Sequence, residues 1–485
     1  MRGFLVSFVL VLLSVLAVLR ECSCSTRQQK LLEFGAKLRG RAGLEQVRSL
    51  QALKQDGRVF YPIAYGADPS GQQDSTEAIL NALNDAFEVQ SGEGMIHHLL
   101  LPGVNDLGGV VIDLQGGEYK ISKPIRFPAI GGGNVLVKAG TFRASDTFPG
   151  DRHLIELWSP HSPLPEETKD FNKNSDDELS LEQQNIQDSI YYEAITFRDI
   201  LFDSSFRGGG IFIIDSARIR INNCYFIHFT TQGILVQRGH EAFISSCFFG
   251  EHETVGGNKD EKDFSGTGIE FASNDNAISD VVVFSGAIGI LIRGQANVVT
   301  GAHCYNKATK FGGVGILVKS GGSLNRINGC YLDYNSIVIE DPFQVSVTNG
   351  LFFAGANIVL KSINGQISRI NIVDNIFSGL ATGNVPIVEL DGQFRSIGQV
   401  VVDRNNAKNM QMKSTVGKLT VRGKGCKWEA DFSSALVFPN RIEHFQYSVQ
   451  TAGYVMHAVT SISDNKIVVE SSEAVDATVS VTVEQ

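Results

Sequence analysis

A unit of Gly, Ile and two further apolar residues recurs along the chain, and this repetition limits the available folds more than any other feature. It reads "GGGIFI", "QGILV", "TGIEF", "IGILI" and "VGILV", then more loosely "NSIVI" and "ANIVL". The residues preceding the repeated Ile are 210, 233, 268, 289, 315, 336 and 357, giving steps of 23, 35, 21, 26, 21 and 21 residues. A floor near 21 with occasional insertions marks a solenoid. The units are short β-branched runs punctuated by Gly, Asn and Ser, without the 3.6-residue period of helical repeats.

A second series, "INNCYF", "ISSCFF", "INGCYL" and "VTNGLF", runs in phase with the first. Each unit therefore carries two short strands and a turn. Stacked units predict an all-β fold, a right-handed parallel β-helix with Ile, Val and Phe inside and ladders of Asn, Ser and Thr at a turn. Cys224, Cys247 and Cys330 share one slot of their coils. They are expected to form a buried thiol ladder rather than a disulfide.

A solenoid must cover its ends, because open edge strands aggregate. Asp74 to Phe87 reads as an N-terminal cap helix, with Asp74 at the N-cap, Glu77 completing a capping box, and Ile79, Ala82, Leu83 and Ala86 on the apolar face. Residues 415–485 are polar and β-rich and read as a C-terminal module closing the other end, so the solenoid is expected over 59–414. Residues 159–190 form a charged excursion from an early coil.

The leader is also informative. Arg2 precedes an apolar run from Phe4 to Leu19, sixteen residues long. A membrane span needs about 20. With Ser23 and Ser25 suiting cleavage, residues 1–25 read as a secretory signal peptide, the alternative being a signal anchor. Residues 26–58 read as a basic helical arm. Cleavage after Ser25 would leave five of the seven cysteines, too scattered for a disulfide framework. The 42 Lys and Arg are outnumbered by 52 Asp and Glu, which argues against a nucleic-acid partner.

The segment "VFYPIAYGADPSGQQDSTEAILNAL", followed by "GGVVIDLQGGEYKISKPIRFP", resembles the N-terminal signature of the pectate-lyase-like superfamily. With "FRDILFDSSFRGGGIFIIDS" and the leader, the chain most resembles the plant QUARTET-type divergent polygalacturonases. That resemblance implies a secreted, cell-wall protein, expected as a monomer. It would hydrolyse α-1,4-galacturonosyl links of de-esterified homogalacturonan without a cofactor or metal. A pectate-lyase-type eliminase and a non-catalytic pectin-binding β-helix are the alternatives.

Polygalacturonases carry their acids two places before the inward apolar residue of successive coils. Here those slots hold Gly209, Gln232, Thr267, Ile288 and Val314, none of them an acid or base. "TTQGI" stands where "NTDGI" would be expected. An inverting hydrolase still needs two carboxyl groups, so the candidates are the carboxylates nearest that face. Glu270 occupies an outward slot beside the repeated Ile, Asp215 and Asp275 end their strands, and Asp203 lies one coil earlier. Arg293 and Lys319, three places after the repeated Ile, are candidates for holding galacturonate carboxylates, with His240 nearby. Glu251-His252-Glu253 has a metal-ligand look but reads as a solvated insertion. An eliminase would need an Arg base and clustered Asp for calcium, and no dense Asp cluster is evident.

Overall fold

In a computed structural model, residues 55–89, 100–158, 190–252, 264–305, 313–380 and 384–485 are described. The leader, nearly all of the 26–58 arm and the excursion over 159–189 lie outside them. Consecutive strands bend around a common axis, and each pairs in parallel with its counterpart one coil on, producing a right-handed parallel β-helix. Its wall is three strand stacks. The Gly-Ile stack runs from His153–Leu157 through Gln232–His240 and Thr267–Asn274 to Val388–Asp391. A second stack runs from Arg220–Asn222 to Ser396–Asp403, and a third from Tyr225–Ile227 to Asn406–Lys408.

Register explains the repeat. Ile155, Ile211, Ile234, Ile269, Ile290, Ile316, Ile337 and Ile358 face inward in one unbroken column. All are buried. The glycine before each of Ile211, Ile234, Ile269 and Ile290 is a packing requirement. A Cβ at Gly210, Gly233, Gly268 or Gly289 would lie closer than 3.0 Å to the carbonyl oxygen of the corresponding glycine on the next coil. Inside the third stack the rings of Phe202, Phe226 and Phe249 lie 4.7 and 4.8 Å apart and nearly parallel. That spacing is the distance of about 4.8 Å between adjacent strands.

The turns are laddered too. Asn297 Oδ1 accepts the Asn276 backbone N–H at 3.0 Å, and Asn325 Oδ1 accepts the Asn297 N–H at 2.8 Å. Between the second and third stacks, Cys224 and Cys247 are adjacent, with the Cys224 N–H donating to Cys247 Sγ at 3.5 Å. Both are buried free thiols, as expected. Burial, followed by the neighbouring Cys247 thiol, pushes the Cys224 thiol well above its ordinary pKa.

The N-terminal opening is covered by helix α1, Thr76–Phe87. It starts one residue later than the sequence suggests. Ser75 is the N-cap residue, while Asp74 accepts the Thr76 N–H at 3.0 Å. Glu77 pairs with Lys123 rather than closing a capping box. Ile79 and Leu83 meet Ile112, Phe127 and Phe142 at the mouth of the solenoid. At the far end, four antiparallel strands, Val416–Asp431, His444–Thr451, His457–Ser463 and Lys466–Glu484, build a module with its own core around Trp428, Phe432 and Val481. Val437 and Phe438, in the link between its first two strands, enter the solenoid core. Among the described residues, no helix is long and apolar enough to cross a membrane.

Candidate active site

The outer side of the Gly-Ile stack carries two rows of side chains, because alternate residues of a strand share a face. One place after the inward Ile, the row reads Glu156, Phe212, Leu235, Glu270, Leu291, Leu317, Val338, Val359 and Glu389. Three places after it come Arg293, Lys319, Glu340, Lys361 and Asp391 on successive coils.

Glu270 sits where the rows meet. Its Oε1 accepts the Arg293 Nε–H at 2.8 Å, and its Oε2 accepts the Gln232 amide at 3.0 Å. Apolar neighbours on both adjacent coils leave Glu270 only 8% exposed, while the Arg293 side chain is 48% exposed. Gln232, in a slot where an acid would be expected, orients this carboxylate. Two coils before it in the same slot stands His153, a residue that no motif in the sequence marks. His153 is buried, its ring 5.7 Å from Phe212. Burial pushes its pKa down to about 4.

Lys319 is engaged in a similar way, with Nζ 2.6 Å from Glu340, a carboxylate that Lys361 also approaches at 3.5 Å. Neither basic residue projects freely; each would exchange a protein carboxylate for a ligand carboxylate.

The other strand-end candidates lie apart from Glu270. Asp215 is buried, has a left-handed backbone (φ 51°) and pairs with Arg238 of the next coil. It is two coils and three residues from Glu270, about 10 Å across the strands and about 10 Å along them. Asp275 occupies an exposed turn with φ 59°, its N–H donating to Gln295 O at 3.2 Å. His240 lies 3.5 Å from Glu241, which accepts from Arg218 at 3.2 Å. Arg218 also pairs at 2.7 Å with the fully buried Glu193.

Asp203 lies on the opposite flank, at the turn leading from the third stack into the Gly-Ile stack. Its Oδ1 is 2.7 Å from His228 Nδ1 and accepts the Ser205 N–H at 2.9 Å. The His228 ring packs 4.5 Å from Phe206 and 6.1 Å from His252. No sequence motif reveals this Asp–His couple, because the turns from each residue to its following Gly-Ile strand differ in length. The pairing emerges only once Asp203 and Ile227 are placed in register.

Glu251 lies one coil further on the same flank. It is 4% exposed, correcting the expectation of a solvated insertion. It accepts the Gly266 N–H at 2.7 Å and the Ser265 N–H at 3.3 Å. Burial raises its pKa to about 7, against the lowering pull of those two donors. Glu253 lies outside the described residues. Among the described residues, no group of three His, Cys, Asp or Glu side chains is arranged to hold a metal ion.

These features define a right-handed parallel β-helix whose Gly-Ile stack carries paired carboxylates and cations, Glu270 with Arg293 and Glu340 with Lys319, on its outer face. The fold is shared with the ORF18 protein of Geobacillus virus E2, at a TM-score of 0.53 and 12% identity over 87% of this chain and 77% of that one. No protein-family model matches. The chain is 47% identical over 436 residues to Polygalacturonase QRT3 of Arabidopsis thaliana, covering 88% of this chain and 84% of that one. It belongs to that family of plant polygalacturonases.

Proposed function

We propose that this protein is an extracellular hydrolase of α-1,4-galacturonosyl links in de-esterified homogalacturonan. The observation that carries the reading is family membership at 47% identity across nearly the whole chain. The leader supports the extracellular assignment.

In this reading the polysaccharide lies along the outer face of the Gly-Ile stack, parallel to the solenoid axis. Arg293 and Lys319 meet galacturonate carboxylates, giving up their pairs with Glu270 and Glu340 as they do so. Glu270 is then released beside the sugar, where it takes a proton from the attacking water. Water oxygen bonds to the anomeric carbon as the glycosidic bond breaks. The departing oxygen receives its proton from the opposite flank, where Asp203 holds His228 Nδ1 and leaves Nε2 as the transferring nitrogen. Asp203 is preferred over Asp215 and Asp275 because Arg238 closes off the first and the second sits in an exposed turn. Asp215, Asp275 and His240 would line the remaining edge.

A second reading, binding without catalysis, is favoured by one observation: Gly209, Gln232, Thr267, Ile288 and Val314 fill the usual acid slots. Polygalacturonate incubated with the protein separates the two. New reducing ends without absorbance from an unsaturated product are expected. Both signals together would mean elimination, and neither would mean binding only. Glu270→Gln keeps the hydrogen-bonding shape but cannot take a proton, so turnover should fall by about 100-fold or more. Turnover at the wild-type rate would remove Glu270 from the mechanism.

A further inference from the structure

The terminal sheet offers a second surface on which cations stand without carboxylate partners. Lys418, Thr420, Arg422 and Lys424 alternate along strand Val416–Asp431 with Gly417, Leu419, Val421 and Gly423, so all four point from the face opposite to those. All four are exposed. Cross-strand register places Thr482, Ser480 and Thr478 beside the first three of them, then Gln446, Ser448 and Gln450 on strand His444–Thr451 beyond. Thr420 and Ser480 hydroxyls are hydrogen-bonded at 3.0 Å. The face is therefore rich in hydroxyls and amides and edged by a row of positive charge. Two carboxylates stand in line with the row, one at each end: Glu484 opposite Val416 and Asp476 opposite Lys424.

The charge state of this row differs from that of the solenoid face. Arg293, Lys319, Lys361, Arg238 and Arg218 all pair with carboxylates. Elsewhere in the module, Lys427 and Lys466 are likewise paired. Among the described residues, none forms an ion pair with Lys418, Arg422 or Lys424. In a chain of net charge −10, a row of unpaired cations is unexpected. Lys418 and Arg422 are separated by about 13 Å and Arg422 and Lys424 by about 7 Å along the strand. A ligand bearing one carboxylate on every sugar can meet all three at once, while its hydroxyls meet the Ser, Thr and Gln rows.

We propose that this outer face of the terminal sheet is a second binding site for an acidic polysaccharide, a polyuronate, separate from the Gly-Ile face. It would hold a long chain to the protein while another part of the same chain lies on the Gly-Ile face, raising the local concentration of the reacting segment. The inference rests on the polyuronate reading above, and its test separates the two. Binding is measured by affinity electrophoresis in gels containing polygalacturonate, using full-length Glu270→Gln protein so that the polymer is not consumed. Adding Lys418→Gln, Arg422→Gln and Lys424→Gln together should weaken retention about tenfold at low ionic strength, with the difference fading as salt rises. In the active protein, the same three changes should leave turnover of short oligogalacturonides unchanged. Unaltered retention would overturn the second site. So would equal weakening of binding to duplex DNA, which would reveal an unselective cation patch. A retention difference in a protein that cleaves nothing would uphold the site and sink the hydrolase reading instead.

Discussion

His153 and Glu251 are buried groups on one flank of the Gly-Ile stack, and they respond to pH in opposite directions. For Glu251 the folded pKa is about 7 against an ordinary 4.5. The folded state thus holds a proton that the unfolded chain has released. Its stabilisation is complete below about pH 4.5 and is lost as pH rises through about 7. For His153 the folded pKa is about 4 against an ordinary 6.5. Here the unfolded chain binds the extra proton, so stability is lost as pH falls from about 6.5 through about 4. Each shift corresponds to about 3 kcal/mol, and in the native protein the two trends offset one another. Single variants should uncover them. Measured by urea unfolding relative to wild type, Glu251→Gln should gain stability as pH rises from about 4 to about 8, and His153→Gln should gain as pH falls over the same range. Parallel profiles would mean that neither group is held in its neutral form by burial. Neither role was legible in the sequence, where Glu251 has the polar neighbours of a surface loop and His153 only heads a short strand, "HLIEL".

Whole strands were far more legible than single sites, because register repeats a constraint and a catalytic group does not. The Gly-Ile unit stood out in the sequence because four successive coils bring their backbone close past the next at Gly210, Gly233, Gly268 and Gly289. The expected Asn ladder exists for the same reason: each buried turn presents backbone groups that only a side chain on the adjacent coil can satisfy. The Cys slot shows how loose the other requirement is, since Val281, Ala302, Gly350 and Asn375 occupy it on other coils. Asn297 is the element most exposed to test. Its side chain accepts from both the backbone and the amide of Asn276, and its own amide donates to Ser273 O at 3.2 Å. Asn297→Ala would strand these buried groups and should cost about 3 kcal/mol. A lowered urea midpoint with unchanged circular dichroism is expected. A loss below about 0.5 kcal/mol would show that the ladder relaxes around the gap.

At the scale of the molecule, the solenoid has two ends with different solutions. Helix α1 lays Ile79 and Leu83 over the first coils, and such a cap is legible in a stretch as local as "DSTEAILNALNDAF", from its polar start and apolar face. The other end is closed by a sheet that folds on itself, and nothing in its strands announces which residues reach the solenoid. Those residues prove to be Val437 and Phe438, buried against the last coils, with Thr415 Oγ1 accepting the Val402 N–H at 3.0 Å and Arg441 donating to Ile397 O at 3.1 Å. Removing residues 415–485 would therefore do more than delete an appendage. It would uncover the last turn of the core and leave strands Ser396–Asp403 and Asn406–Lys408 with unpaired backbone groups, an invitation to edge-to-edge association. A chain ending at residue 414 should elute from size-exclusion chromatography as aggregate or fail to accumulate in soluble form. Phe438→Ala in the full chain, which leaves the strands covered, should remain monomeric and lose about 3 kcal/mol of stability. If the truncated chain ran as a monomer with the melting temperature of the whole protein, the module would be an independent attachment, and the solenoid would have to close its own end.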